Sequence, residues 1–95
     1  MYKVIVFAGT TEGYEISRFL GENQIPVLAC VATEYGSKSL KESSTLHVQA
    51  GRLDEKEMKE LFSREKPELV LDATHPYAAE VTRNIRKACE EAEVS

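Results

Sequence analysis

Runs of alternating or continuous apolar residues and runs with helical spacing take turns along this chain. Val4 to Ala8 is a short, β-branched and aromatic stretch that is apolar at every position, the mark of a central parallel strand covered on both faces. Gly9 breaks it. From Glu12 to about Glu22 a helix is predicted, with Ile16, Phe19 and Leu20 forming one apolar face at i, i+3 and i+4. Pro26 precedes a second strand over Val27 to Ala32, which ends in the polar loop Thr33-Glu34-Tyr35-Gly36. A short helical turn over Ser37 to Glu42, anchored by Leu40, leads to Thr45 to Ala50, whose alternation fits a strand near a sheet edge.

Asp54 and Glu57 make a capping-box start for the next helix, with Met58, Leu61 and Phe62 as its buried stripe and Lys66-Pro67 as its stop. Leu69 to Leu71 is the fourth strand. The turn Asp72-Ala73-Thr74-His75-Pro76 follows, with Pro76 suited to the first position of a last helix. That helix is predicted to run to about Ala92, with Ala78, Val81, Ile85, Ala88 and Cys89 facing inward. Four strand–helix alternations predict one α/β domain over residues 1–95. Its architecture is a Rossmann-like open parallel sheet of about four strands in order 3-2-1-4, with helices on both faces. In that order the chain reverses between strands one and four. A ligand is then expected outside their carboxyl ends, between the Gly9–Gly13 loop and the Asp72–Pro76 turn.

Composition narrows the function classes. With 42% hydrophobic and 29% charged residues the 95-residue chain is an ordinary globular one, and no apolar run is long enough to span a bilayer. No signal-peptide pattern follows Lys3, so the cytoplasm is the expected location. The net charge of −4 comes from interspersed carboxylates and argues against a nucleic-acid partner. Cys30 and Cys89 show no metal-ligand or redox-pair spacing and are expected to be buried free thiols; no metal site is expected.

The candidate chemistry sits at strand ends. Gly9 permits a tight turn, and Thr10 and Thr11 add hydroxyls where the first helical N–H groups have no partner, an arrangement that favours a pyrophosphate. The loop G-T-T-E-G lacks the middle glycine of the dinucleotide fingerprint, and Glu12 sets a carboxylate nearby. The structural alternative is that Gly9 is a turn residue and Gly13 a close helix–sheet contact. Glu34 lies 21 residues after Gly13, close to where such domains place the acid that bonds the adenosine ribose, while Ser37 and Lys38 suit a 2′-phosphate. NADH and NADPH both remain open.

His75 is the main titratable candidate, able to donate to a substrate carboxylate or act as an acid near neutral pH; the alternative is a helix-capping role. Asp72 is as well suited to holding its loop together as to touching a ligand. Arg52 is a candidate anchor for an acidic substrate, Arg83 and Lys87 read more simply as a solvated helix face, and His47 as partly exposed and uninvolved.

Four stretches in order, Ala8-Gly9-Thr10-Thr11-Glu12-Gly13, Val31-Ala32-Thr33-Glu34-Tyr35-Gly36, Gly51-Arg52-Leu53-Asp54 and Asp72-Ala73-Thr74-His75-Pro76-Tyr77-Ala78, resemble the precorrin-6A reductase family of cobalamin biosynthesis. The D-A-T-H-P-[aromatic]-A stretch is the most specific. The family's glycine loop usually has two glycines before the threonine, where this chain has Ala8-Gly9. The resemblance covers the whole chain but only the N-terminal half or so of the family's two-domain enzymes.

It implies reduction of one double bond of precorrin-6A, or its cobalt form, by hydride from NADPH or NADH. By the resemblance a cofactor role falls on Gly9, Thr10, Thr11 and Gly13; the reading of the loop after the second strand adds Thr33, Glu34, Ser37 and Lys38. By the resemblance a substrate role falls on Thr74, His75 and Tyr77, with His75 as the catalytic candidate; Arg52 joins them as the charged anchor named above. The contrasting expectation is a small nucleotide-binding or interaction domain without activity. The 95 residues alone are expected to associate through an uncovered sheet edge.

Overall fold

In a computed structural model, residues 2–33, 40–75 and 78–95 are described, and they form a sheet of four parallel strands in the order β3-β2-β1-β4. The strands are β1 (Val4–Ala8), β2 (Val27–Val31), β3 (Leu46–Ala50) and β4 (Leu69–Ala73), and the helices are α1 (Thr11–Glu22), α2 (Glu55–Glu65) and α3 (Ala79–Ala92). The predicted order and class hold. β1 and β2 are buried at every position, as their unbroken apolar runs require of the two inner strands.

Side chains alternate across the sheet, and each set has its own core. Ile5, Phe7, Leu28 and Cys30 pack with Met58, Leu61 and Phe62 of α2 and with Ile85, Ala88 and Ala92 of α3. Val4, Val6, Ala8, Val27, Ala29 and Val31 form the opposite core with Leu40 and Leu46, under α1. The capping box is present: the Asp54 carboxylate accepts from the Glu57 N–H at 2.8 Å, and the Glu57 carboxylate accepts from the Asp54 N–H at 2.9 Å.

α1 departs from expectation. Its buried residues are Gly13, Ser17 and Gly21, whereas Ile16 and Phe19 are 38% and 62% exposed and Leu20 is half-buried. Helical residues turn by about 100°, so Gly13, Ser17 and Gly21 share one stripe while Phe19, six residues beyond Gly13, points well away from it. The small residues let the helix settle close to the sheet. The Ser17 hydroxyl is fully buried and donates to the Gly13 carbonyl at 2.8 Å, and the Thr45 hydroxyl donates to the Gly21 carbonyl at 2.6 Å.

Three further expectations shift. Leu40 is buried, but residues 40–42 are not helical, and Ser37 lies outside the described residues. α3 begins at Ala79, just after Ala78, whose N–H donates to the His75 carbonyl at 2.9 Å; Pro76, the expected first helical position, lies outside the described residues. Cys30 is buried as expected, but Cys89 is only half-buried, at the rim of α3.

The two outer strands present backbone groups outward, and both are partly covered. On β3 the Leu46 N–H donates to the Ser43 hydroxyl at 3.1 Å and the Val48 N–H to the Glu42 carboxylate at 2.8 Å. On β4 the Val70 N–H donates to the Ser95 carbonyl at 2.7 Å, so the residues after α3 lie along that edge.

Candidate functional site

The carboxyl ends of all four strands fall at one end of the sheet, and the candidate residues fall with them. Gly9 and Thr11 follow β1, Thr33 follows β2, Arg52 follows β3, and Thr74 and His75 follow β4. Gly9, Thr11, Thr33, Arg52 and His75 are all exposed. Glu34, Ser37, Lys38 and Tyr77 lie outside the described residues.

The β1–α1 loop and the β4–α3 loop are one hydrogen-bonded unit. The carbonyl of Ala73 accepts from the Gly9 N–H at 3.1 Å and from the Thr10 hydroxyl at 2.9 Å. A Cβ at Gly9 would stand 3.3 Å from the Thr74 Cα, a tight approach to backbone that glycine avoids where the two loops meet. Thr10 caps α1, its side-chain oxygen accepting from the Gly13 N–H at 3.3 Å and its carbonyl from the Tyr14 N–H at 3.1 Å.

Two expectations change here. The Thr10 hydroxyl proton is committed to Ala73, so Thr10 braces the loop and has no hydroxyl hydrogen left for a phosphate. Gly13 is buried beneath the helix with its N–H bonded to Thr10, so it sets the helix–sheet distance and its N–H is already engaged. The N–H groups of Thr11 and Glu12, which no helical carbonyl can reach, remain at the mouth of α1 beside the Thr11 hydroxyl. These donors and the positive end of the helix suit a pyrophosphate; the exposed Glu12 carboxylate beside them is the unfavourable element.

On the β4 side, both Asp72 oxygens are engaged. One accepts from the Thr74 N–H at 3.0 Å and the Thr74 hydroxyl at 2.5 Å; the other accepts from the Thr82 hydroxyl, in the first turn of α3, at 2.6 Å. Burial pulls the carboxyl pKa upward, but the hydroxyls of Thr74 and Thr82 and the Thr74 N–H outweigh it and hold the group below its ordinary value. Asp72 is therefore the organiser of the turn that carries His75. Thr82 was not a candidate from sequence, since nothing local links a helix threonine to an aspartate ten residues earlier. Thr74 likewise uses its hydroxyl hydrogen on Asp72.

Elsewhere the chemistry is quiet. Burial pushes the Cys30 thiol up to about 12 and raises that of Cys89. No cluster of His, Cys, Asp and Glu able to hold a metal occurs among the described residues. An open depression of about 580 Å³ lies along the β3 side of the sheet, lined by Tyr2, Glu42 and His47 among others. Its polar groups bind each other: the Tyr2 hydroxyl and His47 Nδ1 are 2.8 Å apart, and Glu42 holds the Val48 N–H. The crest of strand ends, not this depression, brings anion donors and a titratable side chain together. No helix among the described residues is long and apolar enough to cross a membrane.

A family profile described as Precorrin-6x reductase CbiJ/CobK matches residues 3–95. The chain is 38% identical over 89 residues to the cobalt-precorrin-6A reductase of Methanothermobacter thermautotrophicus, covering 93% of this chain and 30% of that protein. It is 34% identical over 91 residues to the cobalt-precorrin-6A reductase of Salmonella typhimurium, covering 96% and 34% respectively. Among solved structures, one described as CobK precorrin-6A reductase superposes with a TM-score of 0.82 at 26% identity, over 100% of this chain and 37% of that one. The chain thus spans about a third of the length of these relatives, less than the half expected from the sequence.

Proposed function

Since the chain belongs to the precorrin-6x reductase family, we propose that it is the N-terminal, nucleotide-binding domain of an NAD(P)H-dependent reductase. That enzyme reduces a double bond of precorrin-6A or cobalt-precorrin-6A in the cytoplasm. The observation that carries this reading is the hydrogen-bonded union of the Gly9–Thr10 loop with the Thr74–His75 turn, which sets a helix start that suits an anion on the same crest as an exposed imidazole.

In this reading the cofactor supplies the hydride. Backbone N–H groups of Thr11 and Glu12, with the Thr11 hydroxyl, bind its pyrophosphate, and the adenosine ribose lies toward Thr33. His75 and Tyr77 border the macrocycle, His75 holding one of its carboxylates or a proton near neutral pH. Asp72 and Thr74 orient that turn without touching substrate. The remaining two-thirds of the family's length carries a second domain that closes the cleft, so the 95 residues alone bind nucleotide and do not turn over. Self-association, where it occurs, runs through what the partial covers of β3 and β4 leave open.

A titration of the chain with NADPH and with NADH, followed by backbone amide shifts, tests the reading. Perturbations concentrated at Gly9 to Glu12 and at Thr33 are the expected result. Saturating nucleotide with no perturbation there would remove the cofactor role from this domain.

A further inference from the structure

We propose that Thr82 is a positioning residue for His75: it closes a ring of hydrogen bonds around the His75 turn, through which the core-anchored helix α3 sets where the imidazole stands. The inference rests on the reading of His75 as the residue that borders the substrate, and it concerns what holds that residue in place.

Two routes lead from Thr82 to His75. By its side chain, the Thr82 hydroxyl donates to one Asp72 oxygen at 2.6 Å, while the other Asp72 oxygen accepts from the Thr74 N–H at 3.0 Å and the Thr74 hydroxyl at 2.5 Å, one residue before His75. By its backbone, the Thr82 N–H donates to the Ala78 carbonyl at 3.1 Å, and the Ala78 N–H donates to the His75 carbonyl at 2.9 Å. His75 is therefore held on both sides by hydrogen bonds that meet at Thr82.

The hydroxyl bond is the informative one. The usual partner of a helical threonine hydroxyl is the carbonyl one turn back, and a hydroxyl has a single hydrogen to give. Thr82 gives it to Asp72, ten residues earlier and on another element. A hydroxyl on a carboxylate makes a short, charge-assisted bond, about twice as strong as a neutral one. The capping residue of α3, Ala78, offers no side-chain hydrogen bond of its own, so the tie from Thr82 fastens a helix start that its cap does not. The neighbours of Thr82 on the helix fix it to the core: Ile85 is buried, and Val81 packs against the same cluster. The Ala73 carbonyl joins the strand end to the Gly9 loop, but it acts ahead of Thr74; the segment that follows is held by Asp72 and Thr82.

The test reads the imidazole signals of His75 and the backbone order parameters of Thr74 and His75 by NMR, without nucleotide, in the wild-type chain and in Thr82→Val, Thr82→Ser, Asp72→Ala and the double variant Asp72→Ala with Thr82→Val. Thr82→Ala, a better helix former than valine, carries the same prediction should valine disturb the helix. Thr45→Val, which loses a hydroxyl bond to the Gly21 carbonyl on another part of the sheet, controls for general loosening. Thr82→Val is expected to shift the imidazole signals and to lower the order parameters from about 0.85 to below about 0.6, while Thr82→Ser and Thr45→Val keep both as in the wild type. In the Asp72→Ala background Thr82→Val is expected to add nothing, the mark of two residues that act as one unit. Wild-type signals in Thr82→Val, equal changes in Thr82→Ser or Thr45→Val, or additive effects of Asp72→Ala and Thr82→Val overturn the proposal. Because the signals are read without ligand, failure here leaves the nucleotide reading standing, and a chain that binds no nucleotide loses that reading without moving these signals.

Discussion

Gly13 lies so close to Ala8 that a Cβ on it would stand 2.9 Å from the Ala8 Cα, with the Ala73 Cβ only 3.0 Å away. Alanine is the better helix former by about 1 kcal/mol, so an exposed Gly→Ala change in α1 would stabilise. Here the clash is with strand backbone, which cannot rotate aside, and overpacking of this kind costs about 1–3 kcal/mol. Gly13→Ala should therefore destabilise on balance, by about 1–2 kcal/mol in urea unfolding. It should also shift the amides of Gly9 and Ala73, because α1 must lift from the strands whose ends carry the two joined loops. An unchanged or raised midpoint would show that the helix has room to move.

Phe19 and Phe62 are both aromatic and both helical, yet they should behave in opposite ways. Phe62 is fully buried and meets Phe7 edge-on with ring centroids 6.0 Å apart, so Phe62→Ala should cost about 3–5 kcal/mol. That is a large part of the stability of a domain this size. Phe19 is 62% exposed, and Phe19→Asp should change stability by no more than about 0.5 kcal/mol. Urea midpoints of the two variants decide it; a large loss from Phe19→Asp would place that ring in the core.

The contrast explains what was legible in the sequence. Strand order, the capping box at Asp54 and the stripe Met58, Leu61 and Phe62 were readable because long apolar runs and caps are local signals that tertiary packing reinforced. The face of α1 was misread because bulky residues at helical spacing outweighed the small ones. Its true contact is the Gly13, Ser17, Gly21 stripe, whose merit is the absence of side-chain bulk. At the site, the sequence located the Gly9 loop and the His75 turn but not how they join. The Ala73 carbonyl that unites them is a backbone group 63 residues from Thr10, and the Thr82 hydroxyl that fixes Asp72 is a turn into another helix. Neither leaves a pattern in the sequence.

Asp72 gives the domain a pH dependence whose sign is fixed. Its carboxyl pKa in the folded chain is lowered, so the unfolded chain, near 3.9, holds the proton more tightly. The stability this supplies is complete above the unfolded value and is lost as the pH falls through the folded one. The group is exposed, and solvent reduces its worth, so the hydrogen bonds from Thr74 and Thr82 together should contribute about 1 kcal/mol at neutral pH. Asp72→Asn should then be less stable than the wild type by about that amount at pH 7, with the gap closing below about pH 4 as the native carboxylate protonates. Thr82→Val removes one donor and should show a smaller gap with the same pH dependence. Urea midpoints at pH 7 and pH 3 measure both; a gap that persists unchanged at pH 3 would mean that the side chain's shape, not its charge, holds the His75 turn in place.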